Sequence, residues 1–156
     1  MPVADDLTLR LSRILDAPRA DVFAACTRPQ ELQRWWGPKG FSTPHLELDV
    51  RVGGSYRIAM QPPGGEVFFL TGEYREVTAP SRLAYTFLWD PPDADDVETL
   101  AVLDLEDLGE RTRLDLTHGR FATPARFELH EAGWGETLDR LQELLSAKNS
   151  AAKGRA

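Results

Sequence analysis

Residues 124–146 read PARFELHEAGWGETLDRLQELLS. Within them Phe127, His130, Trp134, Leu138, Leu141 and Leu145 follow one another at steps of 3, 4, 4, 3 and 4. Side chains so spaced share one side of an α-helix. Pro124 suits the entry of such a helix, because the N–H it lacks is not needed in the first turn. The spacing predicts one apolar stripe on a helix of roughly five turns. A helix with a single apolar stripe must bury it against another element, and the remainder of the chain has to supply that element.

Upstream the period changes to two. Leu7, Leu9 and Leu11 alternate with polar residues, and the phase slips near Arg13. This reads as a half-buried strand with a bulge. Pro18 and the alanine-rich segment behind it suggest a short helix, and Thr27-Arg28-Pro29 opens a second one through Leu32 to Trp35, stopped by Gly37-Pro38. From residue 44 onward the chain is a meander. Leu46, Leu48, Val50 and Val52 alternate up to the turn at Gly53-Gly54, and Tyr56, Ile58 and Met60 alternate up to Pro62-Pro63-Gly64-Gly65. A long strand over 66–78 contains Gly72, which suits a bend. Leu83, Tyr85, Phe87 and Trp89 alternate next. The acidic loop Asp90–Asp96 leads to strands near 97–106 and 111–118, the second with Thr112, Leu114, Leu116 and His118 on one face.

Strands joined by tight turns are antiparallel neighbours, and a sheet with one apolar face must cover it. The terminal helix is the only element long enough. The expected class is therefore α+β: a curled antiparallel sheet around a long C-terminal helix, with two short helices after the first strand. Where sheet and helix diverge, a hollow should remain, lined by inward aromatics at Tyr56, Phe69, Tyr85, Phe87 and Trp134. A mostly apolar hollow with a few polar groups is the usual form of a small-molecule site.

Composition limits the alternatives. The 156 residues suit one domain, read as 1–156 with a core over about 7–147 and a frayed tail over 148–156. With one cysteine, Cys26, neither an internal disulfide nor a Cys-rich zinc site can form. A net charge of −7 disfavours a nucleic-acid phosphate backbone and an anionic membrane as partners. The first residues carry no secretion signal and no run could span a bilayer, so a cytoplasmic location is expected.

Candidate chemistry is sparse. His118 and His130 should meet at one mouth of the hollow, where either could bind a ligand oxygen or act as a general acid or base. A satisfied, partly buried histidine is the simpler reading of each. A zinc site from this pair and a carboxylate lacks any ligand-type spacing. Of Trp35-Trp36, one indole should face inward, and the pair suits a lid. Gly133 and Gly135 sit inside the helix, where each is unfavourable by roughly 1 kcal/mol against alanine. Close approach of a strand would explain Gly133, and so would space for a guest beside Trp134. Cys26 lacks an activating neighbour. The aspartates at 90–96 lack the spacing of a calcium loop and read as a solvated loop.

Several segments, taken in order, resemble one family: Trp35-Trp36-Gly37-Pro38, Gly53-Gly54-Ser55-Tyr56-Arg57 with Met60, Gly72, Pro80-Ser81-Arg82-Leu83, Thr112-Arg113-Leu114, His130, Gly133-Trp134, Leu138 and Leu141. They are similar to the single-domain bacterial proteins of Aha type, which resemble the C-terminal domain of the heat-shock-protein-90 ATPase activator. The resemblance covers about residues 8–146 and implies membership of the START-like, SRPBCC superfamily. It also implies the helix-grip fold of the birch pollen allergen, with a cavity used across the superfamily for lipids, hormones and polyketides. The eukaryotic co-chaperone carries a further N-terminal domain, and this chain is expected to lack it.

The combined expectation is a domain that binds a small, mainly apolar or amphipathic molecule. Trp35, Tyr56, Phe69, Tyr85, Phe87, His118, His130 and Trp134 are the expected lining. No catalytic residue, cofactor or metal is assigned. Two rivals stand: a cyclase- or dehydratase-like enzyme using His118 with His130, and an interaction module or homodimer with a filled core.

Overall fold

The computed structural model describes residues 7–154. The first six residues, read above as free of a secretion signal, and the last two lie outside the described residues. Strand β1 (Leu9–Leu15) is followed by α1 (Arg19–Thr27) and α2 (Pro29–Leu32). Six strands come next: β2 (Leu46–Leu48), β3 (Ser55–Met60), β4 (Phe68–Thr78), β5 (Arg82–Asp90), β6 (Thr99–Asp107) and β7 (Thr112–Gly119). Helix α3 (Pro124–Gly154) ends the fold and continues well beyond Ala147, where fraying was expected to begin.

All neighbours in the seven-stranded sheet are antiparallel, in the order β1-β7-β6-β5-β4-β3-β2. The sheet curls around α3 in the helix-grip arrangement. His130, Trp134, Leu138, Leu141 and Leu145 are buried at the centre, as the helical spacing requires. From β7 they meet Leu114 and Leu116, which are fully buried on the inward phase. No described helix is long and apolar enough to cross a membrane.

Two local expectations need correction. Strand β1 has no bulge: its register against β7 runs unbroken from Leu9↔His118 to Leu15↔Thr112. The phase holds because Arg13, not Ile14, takes the inward position. At the sheet edge its guanidinium reaches α3 and donates to the Gly135 carbonyl at 3.3 Å and to Asp139 at 3.2 Å. Ile14 points outward and is 45% exposed. Strand β2 is also shorter than the alternation through Val52, because the chain turns at 51–53, with Gly54 N–H bonded to the Arg51 carbonyl.

The bend in β4 has two sources. Its pairing with β5 shifts by one residue between Tyr74 and Glu76, which is a bulge. Two residues earlier, Gly72 lies opposite Tyr56 of β3. A Cβ at Gly72 would collide with the Thr86 carbonyl and stand 2.5 Å from Tyr56 Cε2. The absent side chain lets the Tyr56 ring lie across the strand, where its hydroxyl donates to the Thr86 carbonyl at 2.5 Å.

Candidate functional site

The space between sheet and helix is unequal at its two ends. Near α1, Cys26, Leu32, Trp35, Tyr56, Tyr74, Tyr85 and Leu103 close on one another and leave a residual void of about 10 Å³. Near the start of α3, a pocket of about 620 Å³ opens. It is built by residues 36–41, the ends of β3 and β5, the start of β4, the β5–β6 loop and the first half of α3.

Six aromatic rings line it: Trp36, Phe41, Phe68, Phe87, Trp89 and Trp134. They support one another edge to face. Trp36 and Trp134 cross at 86° with centroids 5.4 Å apart, and Phe87 and Trp89 at 90° and 5.5 Å. Such contacts favour the positive ring edge over the negative face of a neighbour. Gly133 also lines the pocket, and a Cβ there would meet only the Pro38 ring, at 3.8 Å. No strand approaches it, so the close-packing explanation for this glycine fails. Nothing in the packing explains Gly135, whose Cβ would meet open space.

Both histidines of interest accept an indole N–H. Trp134 Nε1 donates to His118 Nδ1 at 2.9 Å, and Trp89 Nε1 donates to His130 Nε2 at 2.9 Å. An indole nitrogen can only donate, so each accepting imidazole nitrogen is unprotonated. The remaining nitrogens are then N–H donors, His118 Nε2 to Thr99 Oγ1 at 2.7 Å and His130 Nδ1 to the Arg126 carbonyl at 2.7 Å. Each ring is held neutral in one tautomer with both nitrogens engaged. Burial pushes His118 well below the usual histidine range, with nearby His130 adding to the effect. Burial also lowers His130, against a raising effect from its bond to the Arg126 carbonyl. Among the described residues, no group of three His, Cys, Asp or Glu side chains is placed to hold a metal ion.

The wall over residues 36–41 is tied down by Arg140 of α3. Its Nη1 donates to the carbonyls of Trp36 and Gly37, each at 2.9 Å, with those of Pro38 and Phe41 at 3.3 and 3.4 Å. Gly37 turns the chain with φ of +93°, a conformation unfavourable for residues with a side chain. Opposite, the acidic β5–β6 loop docks on α3 rather than lying free in solvent. Arg126 binds Asp93 at 2.8 Å, Asp95 at 2.9 Å and Asp96 at 3.6 Å. The Arg126 hydrogen bond holds the Asp95 carboxyl below its ordinary value.

Of the expected lining, Phe87, His130 and Trp134 stand on the pocket wall. Tyr56 and Tyr85 point inward but fill the other end of the core. Trp35 is core as well, 1% exposed, with Nε1 bonded to the Ala25 carbonyl at 2.9 Å. Its neighbour Trp36 is the indole that reaches the pocket. His118 is buried behind Trp134 and does not line the pocket. Phe69 faces the outside of the sheet, with the Arg57 guanidinium carbon 3.8 Å from its ring centroid. Pairing of Phe68 with Met60 and of Leu70 with Ile58 puts Phe68 inward. Cys26 is buried, which pushes its thiol up to about 12, so no thiolate is available at neutral pH.

Sequence reasoning missed Phe41, Met60, Phe68 and Trp89, and of the Trp35-Trp36 pair it assigned the lining to Trp35 in place of Trp36. Met60 and Trp89 were legible, since each continues an alternation already assigned to the inward face. Phe41 lies in a loop and carries no periodic signal.

Comparison with known proteins fits this arrangement. The profile of the family described as Activator of Hsp90 ATPase homolog 1-like protein matches residues 16–146. A solved protein of Nitrosomonas europaea is 31% identical, with a TM-score of 0.76 and coverage of 92% of this chain and 96% of that one. The AHSA1 protein of Silicibacter pomeroyi is 28% identical, with a TM-score of 0.80 and coverage of 90% and 99%. A Chromobacterium violaceum protein is also 28% identical, at 0.77, 93% and 98%. No curated protein matches the sequence. The matched span takes in every strand from β2 to β7, α1, α2 and the pocket-forming half of α3, and the chain belongs to the Activator of Hsp90 ATPase homolog 1-like family.

Proposed function

We propose that the protein binds a small, mainly apolar molecule in the pocket between sheet and helix. The observation that carries this reading is a 620 Å³ space with aromatic walls, kept open by a helical glycine that no packing contact requires. A volume of several hundred cubic ångströms is the usual size for a small organic ligand. Rings that are already braced against one another lose little freedom when a guest arrives, which favours affinity.

Binding is preferred over histidine catalysis because of the indole contacts. A general acid or base needs a nitrogen able to exchange a proton with the substrate. His118 and His130 have both nitrogens committed to protein partners. Their role in this reading is to fix the orientation of Trp134 and Trp89. The net charge of −7 supports a small molecule rather than a nucleic acid or an anionic membrane as the partner.

A neutral fluorescent probe, N-phenyl-1-naphthylamine, tests the reading. Its emission should rise on mixing with the protein. Gly133→Leu should weaken that binding at least about tenfold while thermal stability is retained, since the new side chain would occupy the pocket. Equal binding by both proteins would overturn the proposal.

A further inference from the structure

We propose that the natural guest is a cationic amphiphile, an apolar body carrying a protonated amine at the end nearest the pocket mouth. This rests on the pocket being a binding site, and it adds the chemical class. The charges at the mouth carry the argument. Asp93, Asp96 and Glu136 line the pocket, and Arg126 is the only cationic side chain among its lining residues.

That guanidinium is not available to a guest. Its Nε faces Asp95, and its two Nη atoms face Asp93 and Asp96. All three nitrogens are therefore directed at carboxylates, with more negative than positive charge in the cluster. Glu136 accepts the Lys39 backbone N–H through Oε1 at 3.0 Å and adds a further negative charge to the rim. An anionic headgroup would enter a field of its own sign, whereas an ammonium would be drawn in. The walls act in the same direction, because the faces of tryptophan and phenylalanine attract cations.

A second observation concerns the apolar body. Trp36 is on the pocket wall, 4% exposed, and its buried indole N–H has no acceptor among the described residues. The other two wall indoles are satisfied by histidines. The Trp36 nitrogen is closed off even from water, so a guest meets the carbon surface of the indole rather than its N–H.

Three probes sharing one apolar body separate the terms: 9-(aminomethyl)anthracene, 9-anthracenemethanol and 9-anthracenecarboxylate. Each is titrated against the intact protein by energy transfer from tryptophan, at low and at high salt. At low salt the amine should bind about fivefold to tenfold tighter than the alcohol, and the carboxylate weaker than either. High salt and the rim variant Glu136→Gln should both shrink the preference for the amine. An alcohol that binds as tightly as the amine, or a carboxylate that binds tighter, overturns the cationic class and leaves the binding reading intact. If no probe binds, both proposals fall.

Discussion

One sandwich of sheet and helix ends in two different ways. At the α1 end three tyrosines, Trp35 and Cys26 close to a void of about 10 Å³, while at the α3 entry six aromatic rings surround about 620 Å³. Both regions are rich in aromatic residues, so composition does not separate them. The difference lies in what stands opposite the rings. Tyr56, Tyr74 and Tyr85 face one another and the short helices. The rings of the open end face a helix face interrupted by Gly133, and a loop pinned in place by Arg140. Aromatic content predicts a cavity only where the facing element withholds side-chain volume.

The sharpest way to break this comparison is to truncate one ring at each end. Tyr85→Ala in the filled half should cost about 3–5 kcal/mol, as large core truncations do. Phe68→Ala in the open half should cost about 1 kcal/mol or less, because one side of that ring already lacks partners. Urea unfolding of the two variants checks this, and equal losses would mean that the ends are packed alike.

The glycines offer a second contrast with opposite signs. At position 72 a methyl group meets a backbone carbonyl and the Tyr56 ring, neither of which can yield cheaply. Gly72→Ala should destabilise by about 2 kcal/mol or more, in the range of overpacking. At position 133 the same change meets only Pro38 at ordinary contact distance, so Gly133→Ala should stabilise by up to about 1 kcal/mol through helix propensity. Thermal denaturation reads both, and a shift of the same sign in the two variants would remove the distinction.

Acid should act on the open half first. His118 and His130 are neutral in the folded chain and have lowered affinity for protons, whereas in the unfolded chain they titrate near pH 6.5. Their contribution is complete above about pH 6.5 and is lost as pH falls toward the folded values. Between pH 7.5 and 5.5, unfolding free energy should fall by about 1–3 kcal/mol in total. Tryptophan emission should change along with it if the Trp89 and Trp134 contacts release. A flat stability profile over that window would show that the histidines accept protons in place.

Much of the fold could be read from the residues, and less of the site. Alternation at Leu83–Trp89 and at Thr112–His118 located two central strands, because residues on one sheet face recur at every second position. The helix stripe located α3 for the corresponding reason. The site was harder, since inward direction does not say at which end of the core a ring lies. Tyr85 and Phe87 share one face and stack at 26°, yet only Phe87 borders the pocket. Phe68-Phe69 has no internal alternation, so only the pairing with β3 decides which ring turns inward. Arg13 masqueraded as a slip of phase because a cation at the sheet edge can reach helix carbonyls and a carboxylate. The pairing of each histidine with an indole depends on long-range register and has no signature in local spacing.

Arg140 has a consequence for the wall it ties. One side chain gathers the carbonyls of residues 36, 37, 38 and 41 at a single point. Those peptide groups share a common anchor, so the segment that carries Trp36 and Phe41 is pinned to the helix as one piece. Under the proposed binding function, the latch of that wall would sit on the helix, outside the chamber it encloses.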